Sequence, residues 1–238
     1  VVRGPAAVLG LLAAAQAYVF VAPELPIVTP VDLSIVLACA VGAAAVVACA
    51  SAVPPLSDVP PLLWLVVLGA GILITALNVS DVGAGATPIE TLGYAGIGAV
   101  FAAGLLSPSL AIGLPLFVAV VDVVSTLGGG PSETLANAGT TRPGDPLSLE
   151  LPDWGTGLPA GRLGISDAVF IGVFLVYARK FGLRPRATAV GLWVASVAAV
   201  ALKVWLDTAI PVLPLMAAAY FLVNADRIPA LVRRATAS

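Results

Sequence analysis

The sequence predicts an all-α membrane protein, a polytopic bundle of about eight transmembrane helices. Three observations predict it. Only 10% of the 238 residues are charged and 60% are hydrophobic, whereas soluble domains carry roughly 25% charged residues. The mean hydropathy is +1.07. The apolar residues fall into runs of about 20, the length of helix that crosses a hydrocarbon core. Disorder needs low hydrophobicity, and the 24 glycines and 20 prolines follow no three-residue period, so neither a disordered nor a collagen-like chain fits.

Proline, glycine and charge mark where each run stops. The first runs from about Pro5 to Ala22, the second from Leu33 to Val53 and the third from Pro61 to Leu77. Leu92 to Leu127 is too long for one span and is broken at Ser107-Pro108-Ser109, since proline disfavours helix in the residue before it; it supplies the fourth and fifth. A polar segment, Gly128 to Gly161, reads as an extramembrane loop. The sixth span runs from Leu163 to Phe181, the seventh from Ala187 to Leu206 and the eighth from Thr208 to Val223. Residues 1–110 thus form an N-terminal membrane segment of about four spans, and 111–238 a second segment containing the loop 128–161. The chain starts with Val, so a ninth, N-terminal helix is expected to precede it if the start is truncated. A cleaved signal peptide is the rival reading of residues 1–22; seven further spans favour a retained helix.

Basic residues orient the bundle. Arg179, Lys180, Arg184 and Arg186 join the sixth and seventh spans, and Arg227, Arg233 and Arg234 lie in the tail. Both segments are expected in the cytoplasm of a cell-membrane protein with both termini inside. Alternation puts eight of the eleven basic residues inside, with Arg142, Arg162 and Lys203 outside. The net charge of −2 leaves no basic stripe for nucleic acid. There is no histidine, which removes the commonest catalytic base and metal ligand. Cys39 and Cys49 lie in one apolar run and read as small core residues. No metal or cofactor is expected, and the partners are the bilayer and other membrane segments; the oligomeric state is not legible.

Two of the thirteen acidic residues sit inside apolar runs: Asp122 in LPLFVAVVDVVSTL and Asp167 in RLGISDAVFIGVF. A carboxylate at mid-membrane costs about 2.5 to 3.5 kcal/mol on insertion scales, so each is a functional candidate. Either one alone also reads as a helix-end group among headgroups or a clamp between helices. As a pair they say more. At 1.5 Å per residue, both fall roughly 6 to 8 Å inside the outer ends of consecutive antiparallel helices. Facing carboxyls in a low-dielectric site do not both ionise easily. One then holds a proton while the other is a base, which is the machinery of an aspartic protease.

These residues resemble a known family. Asp122 followed by Val123-Val124, then Gly164-Ile165-Ser166-Asp167, then Pro211-Val212-Leu213 are similar to the three motifs of presenilins and signal peptide peptidases: Tyr-Asp, Gly-x-Gly-Asp and Pro-Ala-Leu, in that order on the last four helices. The resemblance covers Ala111 to Tyr220 and includes the polar loop between the aspartates. It implies a presenilin-like bundle of nine spans and an intramembrane aspartyl endopeptidase. Asp122 and Asp167 would activate a water, and residues 164–166 and 211–213 would shape the substrate site. The substrate would be a transmembrane helical peptide or a remnant signal peptide. The sequence departs from the motifs at Val121 for Tyr, Ser166 for the second Gly and Val212 for Ala; Tyr177 is the candidate to replace the missing tyrosine. With the inter-aspartate loop outside, the orientation is that of signal peptide peptidases rather than presenilins.

Leu147-Ser148-Leu149-Glu150-Leu151 alternates with period two, a strand signal in a chain of helices; an irregular loop is the alternative. As a strand, its edge at Leu149 would offer backbone pairing to an unwound substrate. Two other functions remain open on the sequence: a proton-coupled transporter using Asp122 and Asp167 as a relay, and a catalytically inactive membrane scaffold. A relay wants polar residues along a path across the membrane, and here they cluster at one end.

Overall fold

The computed structural model describes residues 5–80, 82–128, 148–155 and 159–237. Among these residues are nine α-helices and one two-stranded sheet. The order is α1 (Pro5–Val21), α2 (Val31–Ala50), α3 (Pro60–Val79), α4 (Thr87–Gly104), α5 (Pro108–Leu127), β1 (Ser148–Pro152), β2 (Pro159–Gly164), α6 (Ile165–Lys180), α7 (Pro185–Leu206), α8 (Val212–Val223) and α9 (Ile228–Ala237). Much of the polar segment 128–161, with Glu133, Arg142 and Asp145, lies outside the described residues, as do Arg3 and Asp81.

The eight apolar runs correspond to α1 through α8, and their starts follow proline. It stands in the first turn of α3, α4, α5 and α7, where its fixed φ suits the helix and its missing N–H is no loss. Four helices are long and apolar enough to cross a bilayer: α2, α3, α5 and α7. A fifth candidate is α8 with α9, a pair bent by 96°. The remaining helices fall short of that measure, being shorter or more polar. For α6 the reason is its surroundings. Ile171 to Ala178 is buried without interruption, so this stretch is apolar on every face and is surrounded by protein, and it does not need full bilayer length.

Several boundaries differ from the sequence reading; the fourth helix begins at Thr87, not Leu92, and the second ends at Ala50, not Val53. The sixth helix begins at Ile165, not Leu163, because Pro159–Gly164 is strand β2. The eighth begins at Val212, not Thr208. The arginine-bearing tail is itself a helix, α9, where a tail was expected.

The period-two segment is a strand. β1 pairs antiparallel with β2, with Leu149 opposite Leu163 and Glu150 opposite Arg162. Arg162 Nη2 reaches Glu150 Oε1 at 2.8 Å across the strands. The hairpin is packed into the bundle: Leu149, Leu151 and Leu163 are buried. A Cβ at Gly42 of α2 would stand 3.1 Å from Leu151 Cδ2, so that glycine lets β1 press on α2.

One buried cluster, from Cys39 to Leu231, draws on both the 1–110 and the 111–238 segments. Its closest contact is between α4 and α6. A Cβ at Gly98 would lie 2.0 Å from the Val169 carbonyl oxygen, and one at Gly172 would lie 2.2 Å from the Ala95 oxygen. The two backbones therefore touch, in the manner of membrane helices joined through small residues. Ala95, Ala99, Ala102 and Ala168, all buried, continue the seam.

The bundle has two chemically distinct ends. At one, Asp58 pairs with Arg179 (2.6 Å) and with Lys180, and Arg184 pairs with Asp226 at 2.8 Å. The end of α6 is closed there by Gly182 at φ +68°, with Leu183 N–H donating to the Ala178 carbonyl and Gly182 N–H to that of Arg179, the Schellman arrangement. At the other end lie the hairpin and the two aspartates. Thr87 Oγ1 donates to the Glu150 carbonyl at 2.6 Å, and Trp154 Nε1 to Tyr18 OH at 3.2 Å.

Gly172→Ala should therefore destabilise the protein by about 1–3 kcal/mol through overpacking, against a helix-propensity gain of about 1 kcal/mol. Gly113, with nothing within 4 Å of its Cβ position, should tolerate alanine. Thermal unfolding in detergent of the two variants beside the parent measures the contrast.

Candidate active site

Asp122 belongs to the inward stripe of α5. Ala111, Pro115 and Val118 precede it on that stripe and Thr126 follows one turn later, while Phe117, Val120, Val124 and Leu127 form the exposed face. The spacing is that of an amphipathic helix at the rim of the bundle, and it turns the carboxyl toward protein. Asp122 Oδ2 accepts from the Leu213 N–H at 3.0 Å. Thr126 Oγ1 donates to Oδ1 at 3.5 Å, a long contact.

The start of α8 explains why Asp122 is held there. The first turn of a helix leaves N–H groups without intrahelical partners, and in a membrane each such group is costly. Pro211 is the N-cap residue in extended conformation, φ −66° and ψ 125°, and has no N–H. Pro214 in the first turn has none either. That leaves Val212 and Leu213 as donors, and Asp122 accepts from Leu213. A carboxylate from α5 thus caps α8 in trans, at the end of the helix that favours negative charge.

Asp167 is the third residue of α6 and is buried. Its Oδ2 accepts from the Gly164 N–H at 3.0 Å, the return half of a capping box. Strand β2 leads directly into this turn, so the hairpin fixes the entry of α6. A Cβ at Gly164 would lie 3.3 Å from Ser166 Oγ, a tight approach, and 3.5 Å from Asp167 Oδ2, an ordinary contact. Asp122 lies close enough to Asp167 to act on it electrostatically. Two carboxyls, each held at a helix N-terminus, therefore neighbour one another where α5, α6 and α8 meet.

Of the residues expected at this site, Asp122, Asp167, Gly164 and Leu213 take part in these bonds, and Val212 opens the helix whose second residue is Leu213. Pro211 sets the start of α8. Ser166 is exposed and Ile165 half-buried beside Asp167. Leu149 does not belong to the group: its side chain is buried under the hairpin, and the Thr87 hydroxyl occupies the Glu150 carbonyl, so β1 presents no open edge there. The strand adjoining the aspartate is β2. Tyr177 cannot stand in for the missing tyrosine. It is ten residues from Asp167 on the same helix, about 15 Å along the axis, and its hydroxyl donates to the Leu105 carbonyl at 3.2 Å. Val121 is 47% exposed on the outer face of α5. The equal depth expected from counting is altered as well, since Asp167 sits in the first turn of α6 and Asp122 five residues from the end of α5. Thr126 was overlooked, although its place four residues after Asp122 was a readable signal.

Among the described residues no group of three or more His, Cys, Asp or Glu side chains could hold a metal ion. No family model, no curated protein and no solved structure matches this chain.

If Asp122 caps α8, Asp122→Ala should lower stability by about 0.5–2 kcal/mol, while Asp122→Asn, which keeps an acceptor oxygen, should lower it less. Thermal unfolding gives the ranking, and faster amide hydrogen exchange at Leu213 in the alanine variant gives the location.

Proposed function

We propose that this chain is an intramembrane aspartyl endopeptidase, similar to signal peptide peptidases, that cleaves transmembrane segments of membrane proteins or remnant signal peptides. The observation that carries the reading is the convergence of Asp122, Asp167 and the Pro211-Val212-Leu213 turn at one end of the bundle, through the Leu213 N–H to Asp122 bond and the packing of α5, α6 and α8 against one another. Three short motifs, far apart in sequence, meet there in space.

The chemistry follows from two like groups in a low-dielectric site, where the pair holds one proton. The ionised carboxylate takes a proton from water as the water oxygen attacks the scissile carbonyl carbon. The neutral carboxyl hydrogen-bonds the carbonyl oxygen and stabilises the tetrahedral intermediate. The leaving amine is then protonated as the C–N bond breaks, so the two groups exchange roles in each turnover. Peptide bonds in a helix are shielded, so the substrate must unwind. Strand β2, which leads into Asp167, is the element along which an extended segment would lie.

In this reading α1 to α8 are eight spans of a cell-membrane protein, with a ninth N-terminal to them if the family count applies. The end bearing Asp58, Arg179 and Arg184 and both termini face the cytoplasm, following the basic-residue rule.

Replacing Asp122 or Asp167 with Asn should reduce cleavage of a model transmembrane peptide by about 10²-fold or more, with the protein still folded in detergent. Substantial proteolysis by either variant would sink the aspartyl mechanism. Orientation is tested separately by cysteine labelling in intact cells, in a background lacking Cys39 and Cys49. A membrane-impermeant reagent should modify a cysteine at position 145 and spare one at position 184; the reverse pattern would make the topology presenilin-like.

A further inference from the structure

The end of the bundle opposite the aspartates carries a helix and a set of cations that the proposed chemistry does not use. Helix α9 turns through 96° from α8 and packs against α5. Ile228, Leu231, Val232 and Ala235 recur at i, i+3, i+4 and i+7 and form one apolar face, with Arg233 and Arg234 on the other side, both exposed. The protein covers only part of the apolar face. Leu231 is buried in the core, but Val232, one residue round the helix, is 42% exposed.

The cations at this end divide into two sets. Asp58 engages Arg179 and Lys180, and Asp226 engages Arg184 and, at 3.9 Å, Arg227. Arg186, Arg233 and Arg234 are exposed and have no acidic partner among the described residues. Two acids thus serve four bases, and three guanidinium groups are left over, two on α9 and one in the first turn of α7.

We infer that α9 lies in the plane of the membrane interface and that Arg186, Arg233 and Arg234 bind the phosphates of anionic phospholipids in that leaflet. A short helix with a strongly polar face and a half-covered apolar face meets the physical requirements of an interfacial helix. Its apolar face sits against α5 and the acyl region, while its arginines reach the headgroups. Guanidinium presents paired N–H donors that match phosphate oxygens, and an anionic leaflet attracts basic residues placed next to it. The assignment is independent of the protease reading and would hold for a transporter or a scaffold equally.

The test uses the full chain in phosphatidylcholine nanodiscs with traces of spin-labelled phosphatidylglycerol or spin-labelled phosphatidylcholine. The motionally restricted fraction should favour phosphatidylglycerol by about threefold or more. That preference should vanish in the triple variant R186Q/R233Q/R234Q and survive in R186K/R233K/R234K. Equal restriction of both lipids by the parent chain, or an undiminished preference in the glutamine variant, would overturn the inference. Should the glutamine variant fail to fold, the parent chain decides. Raising NaCl from about 50 to about 500 mM must lower the preference, because salt screens exposed charges at that range, and a salt-independent preference overturns it. Inorganic phosphate at constant ionic strength should leave the preference intact; displacement by phosphate would mark a free-anion site and overturn the lipid assignment.

Discussion

The backbone contact between α4 and α6 is the constraint on which the rest of the structure depends. With the Val169 and Ala95 carbonyl oxygens standing where side chains at Gly98 and Gly172 would be, the two helices approach as closely as polypeptide permits. Side chains no longer set their spacing, so it has little play. Interiors packed this densely are stiff, and α6 inherits that stiffness at both ends. Its C-terminal turn is tied to Leu105 through Tyr177 and to Asp58 through Arg179. Its N-terminal turn carries Asp167 and is entered from a hairpin that itself rests on α2. A carboxyl in the first turn of such a helix has a defined position without needing a rigid loop to hold it.

Around that fixed point the remaining elements are arranged by donor supply. A carboxylate away from water must find hydrogen-bond donors or give up its charge. The first turns of helices are the places in a membrane bundle where N–H groups are in surplus. Both aspartates use them, Asp167 at the start of its own helix and Asp122 at the start of α8. The arrangement solves two problems with one bond. A free N–H group of α8 acquires an acceptor, and an expensive acid acquires a donor. At the opposite end the same logic runs with side chains: Asn224, wholly buried, donates to Thr188 Oγ1 and to the Tyr220 carbonyl and accepts from the Arg184 N–H, joining the end of α8 to the start of α7.

How much of this was legible in the sequence depends on whether the signal was local. Helix positions were, because apolar runs and the prolines ahead of them are properties of neighbouring residues; α3, α5 and α7 begin within two residues of where the runs predict. The two aspartates were legible because a charge inside an apolar run is conspicuous on its own. Strand β2 was not. Pro159-Ala160-Gly161-Arg162-Leu163-Gly164 has no period-two pattern, and only its partner β1 makes it a strand. Helix α9 was missed for a related reason: its apolar residues are too few to stand out by average hydropathy, and the face they form appears only when they are wound at helical spacing. The misplacement of Leu149 and Tyr177 came from treating a residue type as a role. Leu149 does lie on a strand, but burial decides whether an edge is open; Tyr177 does lie on α6, but ten residues of helix decide how far it reaches.

The Pro211-Val212-Leu213-Pro214 turn joins the structural and chemical sides of the protein. A helix beginning inside a membrane would ordinarily present up to four unpartnered N–H groups, more than one carboxyl can serve well. Prolines at the N-cap and in the first turn remove donors without breaking the helix, since both positions lie ahead of the first intrahelical bonds. What is left are the Val212 and Leu213 N–H groups, and Asp122 accepts from that of Leu213. The two prolines therefore lower the number of N–H groups that the opposing acid has to meet, and this is a physical reason for the Pro-Val-Leu-Pro segment that holds whatever reaction the site performs. Where it does carry out hydrolysis, the same economy matters again. A carboxyl positioned by backbone donors is oriented before substrate arrives, so the cost of arranging it has been met in folding rather than in the reaction itself.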